Sequence, residues 1–71
     1  MMSDRQLWCA DTTLALAIQM AAQEKAEDEQ TLLRAIVESP AYDALYVEAT
    51  GLWAMGPVYL LDFCRRCGVE V

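Results

Sequence analysis

Three cysteines and eleven carboxylates are the side chains with which this 71-residue chain could do chemistry, since it contains no histidine. The most suggestive spacing is Cys64-Arg65-Arg66-Cys67, a Cys-x-x-Cys pair followed directly by Gly68. Redox chemistry requires a stabilised thiolate, which such pairs gain at a helix N-terminus. Gly68 instead places this pair in the last turn of a helix, where the dipole disfavours an anion by about 0.3–1 kcal/mol. That is less than one pKa unit at about 1.36 kcal/mol per unit, so the arginines can offset it. Burial would push the thiols further up. Structural zinc takes four Cys or His ligands. Cys9 is far away in the chain, so only an acidic fourth ligand or a site shared across a dimer completes such a set.

The helical wheel favours a packing role for the pair. With Asp62 as the origin and 100° per residue, Arg65 and Arg66 fall within about 60° of it, and Leu60, Cys64 and Cys67 lie roughly 140–200° away. Both cysteines are therefore expected to face the core, with Asp62 paired to an arginine outside. If Gly68 is the residue just beyond the helix, Cys64 and Val69 form the hydrophobic contact of a Schellman ending. A thiol-redox or metal-binding site at Cys64 and Cys67 is the alternative.

Asp11 is the other candidate. It interrupts an apolar stripe of Leu7, Leu14, Ile18 and Ala21, and a buried carboxylate there would be an acid or base with a raised pKa. It has no evident catalytic partner, and pairing with an arginine at the edge of the fold is the expected role. Without histidine no Ser/His/Asp grouping can form, and there is no glycine-rich phosphate loop. Paired carboxylates occur only in the run Glu27-Asp28-Glu29, the pattern of a solvated helix end. The chain thus offers no catalytic residue, no cofactor site and no metal site, and a non-enzymatic protein is expected.

The elements that position these residues read as helices. Ser3 or Asp4 can cap a first helix over 4–24, and Trp8, Leu16 and Met20 lie off its main stripe. A helix apolar on several sides is central to a bundle or shared with a second chain. Asp28 is a good N-cap for a second helix over 28–38 holding Leu32, Leu33, Ile36 and Val37. One continuous helix of about 35 residues is the rival, but globular helices usually run about 8–20. Ser39, Pro40 and Gly51 punctuate a third helix over 40–50, and Gly56, Pro57 and Gly68 a fourth over 57–67. The expectation is one all-α domain over 1–71, a compact bundle of three to four helices.

Charge and hydrophobicity then restrict partners. Eleven acidic against five basic residues, a net −6 with scattered arginines, argue against phosphate or nucleic-acid binding. No stretch reaches the ~20 apolar residues of a membrane span, and the first residues lack the features of a signal peptide. A cytoplasmic protein with reduced thiols is expected. The 56% hydrophobic content exceeds the roughly 45–50% of average soluble domains. A homodimer or another protein partner would cover the surplus. Tyr42 and Tyr46 are expected in the core. Trp8, Trp53, Met55 and Tyr59 are candidates for an interaction surface, because Trp and Tyr are favoured at interface hot spots and the Gly56-Pro57 turn exposes its flanks.

The stretch AYDALYVEATGLWAMGPVYLLDF is similar to a family of short, uncharacterised, all-helical bacterial proteins. The matching residues are Tyr42-Asp43, Leu52, Gly56, Tyr59-Leu60-Leu61 and Asp62. Members commonly carry His after the leucine, where this chain has Trp53. The similarity covers residues 41–63 and reaches the first helix only by hydrophobic pattern. Family members are often encoded beside proteins resembling ADP-ribosyltransferase toxins. The resemblance therefore implies an accessory or antitoxin-like protein whose partner is the neighbouring gene product, and it assigns no catalytic residue.

Overall fold

In a computed structural model describing residues 1–71, the chain forms four α-helices and no strand: α1 (Asp4–Lys25), α2 (Glu29–Val37), α3 (Pro40–Leu45) and α4 (Pro57–Arg66). Two 3₁₀ turns, Glu48–Thr50 and Leu52–Ala54, connect α3 to α4. The all-α expectation is met.

α1 opens with a capping box. The Ser3 hydroxyl accepts from the Gln6 N–H, and the Gln6 side chain accepts from the Ser3 N–H. These contacts satisfy two of the helix's orphan donors. α1 stops at Lys25 because Ala26 takes a left-handed conformation (φ 53°, ψ 41°) and the Glu27 N–H reaches back to the Ala22 carbonyl. The chain from 4 to 38 is thus two helices. Asp28 occupies the N-cap position of α2, although its side chain makes no capping hydrogen bond. The Ser39 hydroxyl donates to the Ile36 carbonyl, so it serves the end of α2 while Pro40 starts α3.

The third helix is shorter than the expected 40–50. Tyr46 leaves helical geometry, and β-branched Val47 is extended (φ −101°, ψ 117°). The Thr50 hydroxyl lies 2.8 Å from the Ala44 carbonyl and 2.9 Å from that of Val47, reinforcing the tight turns in which these carbonyls accept the Val47 and Thr50 N–H groups. Gly51 then closes a 3₁₀ turn rather than α3 (φ 67°). At the end of α4 the expected Schellman geometry forms. The Val69 N–H donates to the Cys64 carbonyl and the Gly68 N–H to that of Arg65, with Gly68 at φ 86°.

The molecular envelope measures 34 × 20 × 17 Å. A 22-residue helix rises about 33 Å, so α1 runs the full long axis. The two short dimensions accommodate about two helix layers at 8–10 Å spacing. α2, α4 and the Leu52–Ala54 turn all pack on α1, but a body this thin cannot surround it. Only 15 residues are buried. Fourteen of them form one core of Ala10, Leu14, Ala17, Ile18 and Ala21 from α1, with Leu32, Ile36, Ala41, Leu45, Leu52, Leu60, Leu61, Cys64 and Val71 packed on them; the fifteenth is Thr13.

This core corrects the expected stripe on α1. Leu7 and Asp11 are exposed, while Ala10, Thr13 and Ala17 take the inward arc beside Leu14, Ile18 and Ala21. Small residues there let the neighbouring elements approach closely. The Thr13 hydroxyl is spent on the Trp53 carbonyl (3.4 Å), which ties the second 3₁₀ turn to α1.

Candidate functional site

The candidate residues fall in three places, and the Cys-x-x-Cys pair is the first. Cys64 is fully buried, but Cys67 is exposed, so the expectation that both face the core is wrong for Cys67. The buried arc of α4 is set by Leu60, Leu61 and Cys64. Cys67 lies at the edge of that arc and beyond Arg66, where the chain is already turning into the Schellman end. All three cysteines are free thiols. Burial pushes the Cys64 thiol up to about 11, reinforced by neighbouring Cys67 and only partly countered by Arg65. The two thiols therefore sit in opposite environments, one dry and protonated and one in solvent, and only one of them is accessible. No group of three or more His, Cys, Asp or Glu side chains converges anywhere in the fold.

The arginines between the cysteines point outward. Arg66 pairs with Asp62 one turn earlier, and Arg65 bridges to Glu24 on α1 (3.3 Å) while its Nε donates to the Val71 carbonyl (2.9 Å). Exposed pairs of this kind contribute little, about 0–1 kcal/mol each. Their geometry fastens the C-terminal residues over α4, which is how Val71 becomes core.

Asp11 is the second place. The structure replaces its expected arginine partner with Tyr46, whose phenol donates to Asp11 Oδ1. Tyr42 stacks on Tyr46 at a ring-centroid distance of 5.1 Å and a tilt of 55°. Burial first, and then the hydrogen bond to the Asp11 carboxylate and its charge, raise the Tyr46 phenol above its ordinary value. The phenol is thereby held as a donor, and the pair serves as a clasp between α3 and α1.

The third place is the exposed apolar surface. Trp8 is 66% exposed and lines a groove of about 300 Å³ with Cys9 and Thr12 on one side and Trp53, Ala54 and Gly56 on the other. The structure thus brings Trp8 and Trp53 together across 45 residues of sequence. Trp53 is half-buried, with its indole N–H donated to the Glu48 carbonyl (3.1 Å). Met55, 53% exposed, sits between two lining residues, Ala54 and Gly56. Tyr59 is 40% exposed but does not line the groove; it continues the corner one turn into α4 beside Val58, which is 67% exposed.

A second groove of about 250 Å³ runs between α1 and α2, lined by Ala15, Ile18, Gln19, Glu29, Gln30 and Leu33. Leu16, one turn beyond Thr12 on α1, is also exposed. The sequence placed an interaction surface on the first helix and the Trp53–Tyr59 stretch without naming Ala15, Leu16 or Val58 in it, and it did not point to Leu33. The signal for Leu16 was its position off the core stripe together with Trp8. Leu33 carried none, because an apolar residue beside buried Leu32 reads as core.

No helix is long and apolar enough to cross a membrane. Comparison with models of known protein families, with curated proteins and with solved structures returned no significant match.

Proposed function

We propose that this chain is a non-enzymatic protein–protein interaction module of the bacterial cytoplasm, an accessory or antitoxin-like partner of a neighbouring gene product. It engages neither nucleic acid nor membrane. The observation that carries this reading is the apolar corner at the Gly56-Pro57 turn. Met55, Val58 and Tyr59 all face solvent within five residues, beside the groove holding Trp8 and Trp53. Three large apolar side chains clustered at an exposed corner mark an interaction site more readily than scattered ones do. Trp53 stiffens the corner, because its indole is tied to Glu48 and its carbonyl to Thr13. A rigid aromatic anchor loses little side-chain freedom when a partner covers its surroundings.

The test is co-expression of the tagged chain with the neighbouring gene product, comparing the wild type with Met55→Glu and Tyr59→Ala. A stoichiometric complex with the wild type that is lost in both variants, with thermal melts unchanged, is the expected result. Equal recovery by all three baits, or by none, overturns the reading.

A further inference from the structure

The groove that Trp8 shares with Trp53 has an acidic edge, and that edge points to the kind of partner that fits it. The inference rests on reading the chain as an interaction module and names what its surface recognises. With Trp8 as origin and 100° per residue, the lining residues Cys9, Thr12 and Thr13 lie about 40–140° to one side. Asp4 and Asp11 lie about 40–60° to the other side, one turn before Trp8 and one turn after it, and both are exposed. The indole thus separates an apolar groove from two carboxylates.

Neither carboxylate has a cationic partner within the chain. The ion pairs of the fold engage Glu48, Glu24 and Asp62 instead. Asp11 accepts a neutral phenol, that of Tyr46, through Oδ1. Between Asp4 and Glu24 the only basic side chain is Arg5, which falls about 60° to the groove side of Trp8, away from both carboxylates. A partner that seats apolar side chains in this groove also covers Trp8, which is 66% exposed. Covering Trp8 takes water from Asp4 and Asp11 beside it, and a carboxylate stripped of water is costly unless a cation replaces that water. An ammonium or guanidinium laid across the indole meets both needs. The ring face attracts a cation within about 6 Å of its centroid, and a carboxylate at the ring's edge pairs with the same group.

We propose that this groove binds an amphipathic, basic segment of a partner protein. Its apolar side chains lie between Trp8 and Trp53, and a Lys or Arg lies over the Trp8 indole, paired with Asp4 or Asp11. The net charge of −6 draws such a segment in and repels an acidic one. An uncharged apolar segment is disfavoured because it covers the two carboxylates without compensating them.

Fluorescence anisotropy on the full chain tests this with two labelled synthetic amphipathic peptides of identical apolar face, one carrying lysines and the other glutamates on its polar face. The lysine peptide is expected to bind, more weakly as ionic strength rises from about 0.05 to 0.5 M, and the glutamate peptide is not. Asp4→Asn with Asp11→Asn, and separately Trp8→Ala, are expected to weaken binding roughly three- to tenfold. Glu27→Gln with Asp28→Asn removes the same charge beyond the far end of α1 and is expected to leave affinity within about twofold. Thermal melts monitor folding, and Asp4→Asn alone, which spares the Tyr46–Asp11 contact, is expected to weaken binding in the same direction. Binding of both peptides alike, binding of neither, or equal weakening by the two double variants overturns the proposal. Capture of the neighbouring gene product that needs Met55 and Tyr59 but is indifferent to Trp8, Asp4 and Asp11 refutes the basic partner and leaves the interaction module standing.

Discussion

Ala26→Gly tests the joint on which the bundle depends. Ala26 is the one non-glycine residue with positive φ, and its left-handed geometry lets Glu27 bond back to Ala22 and turns the chain from α1 into α2. Left-handed geometry costs a residue with a Cβ about 1–2 kcal/mol. Glycine removes that strain but gives back about 0.4–1 kcal/mol through the greater freedom of the unfolded chain. The net expectation is a gain of about 0.5–1 kcal/mol. At about 4–8 °C per kcal/mol for a domain of this size, the melting temperature rises roughly 2–8 °C. The sign is what discriminates. If residues 4–38 formed a continuous helix, glycine at an interior position would lower stability by about 1 kcal/mol relative to alanine. Thermal and urea melts followed at 222 nm measure the difference, and a lower melting point for Ala26→Gly refutes the α1–α2 joint.

Two further predictions concern the core. Leu60→Ala removes a fully buried side chain from a core of few residues. The expected loss of about 2–5 kcal/mol compares with a total of roughly 4–11 kcal/mol at about 0.05–0.15 kcal/mol per residue, so urea denaturation should show a variant close to unfolding. For Cys64, folding raises the thiol from 9.0 to about 11. The native state thus holds a proton that the unfolded chain releases first. This contribution to stability is complete below pH 9 and is lost between about pH 9 and 11. In native protein at neutral pH, thiol labelling should modify Cys67 quickly and Cys64 only through unfolding; equal rates would contradict the burial. A Cys64→Ala variant should lose less stability between pH 9 and 11 than the wild type does.

Much of the helical grammar was legible because it depends on local chemistry. Ser3, one of the two caps open for α1, Pro40, Pro57 and the Gly68 Schellman end each act within one turn, and each appears where its residue type requires. The end of α3 was not legible. Gly51 looked like its stop, but Thr50 and Val47 end the helix earlier, and Tyr46 goes to Asp11 across 35 residues. The same distance dependence hid the partner of Asp11, for which an arginine was the reasonable expectation. At the apolar surface, Trp8, Trp53, Met55 and Tyr59 could be named as candidates by residue type. That Trp8 and Trp53 share one groove while Tyr59 lies outside it depends on how the second 3₁₀ turn docks on α1.

The amino-acid sequence by itself determined that this chain is helical, acidic and without the residues for histidine-based chemistry, and where most of its helices begin and end. Those properties follow from side-chain identity and from hydrogen bonds spanning a few residues. Tertiary structure alone decided which faces are covered. Cys64 and Cys67 share a helix end, yet one is dry and the other wet, and Leu14 and Leu16 share a helix, yet one is core and the other surface. Burial depends on what packs opposite a residue, and in a body only two helix layers thick α1 has a neighbour on one side and solvent on the other.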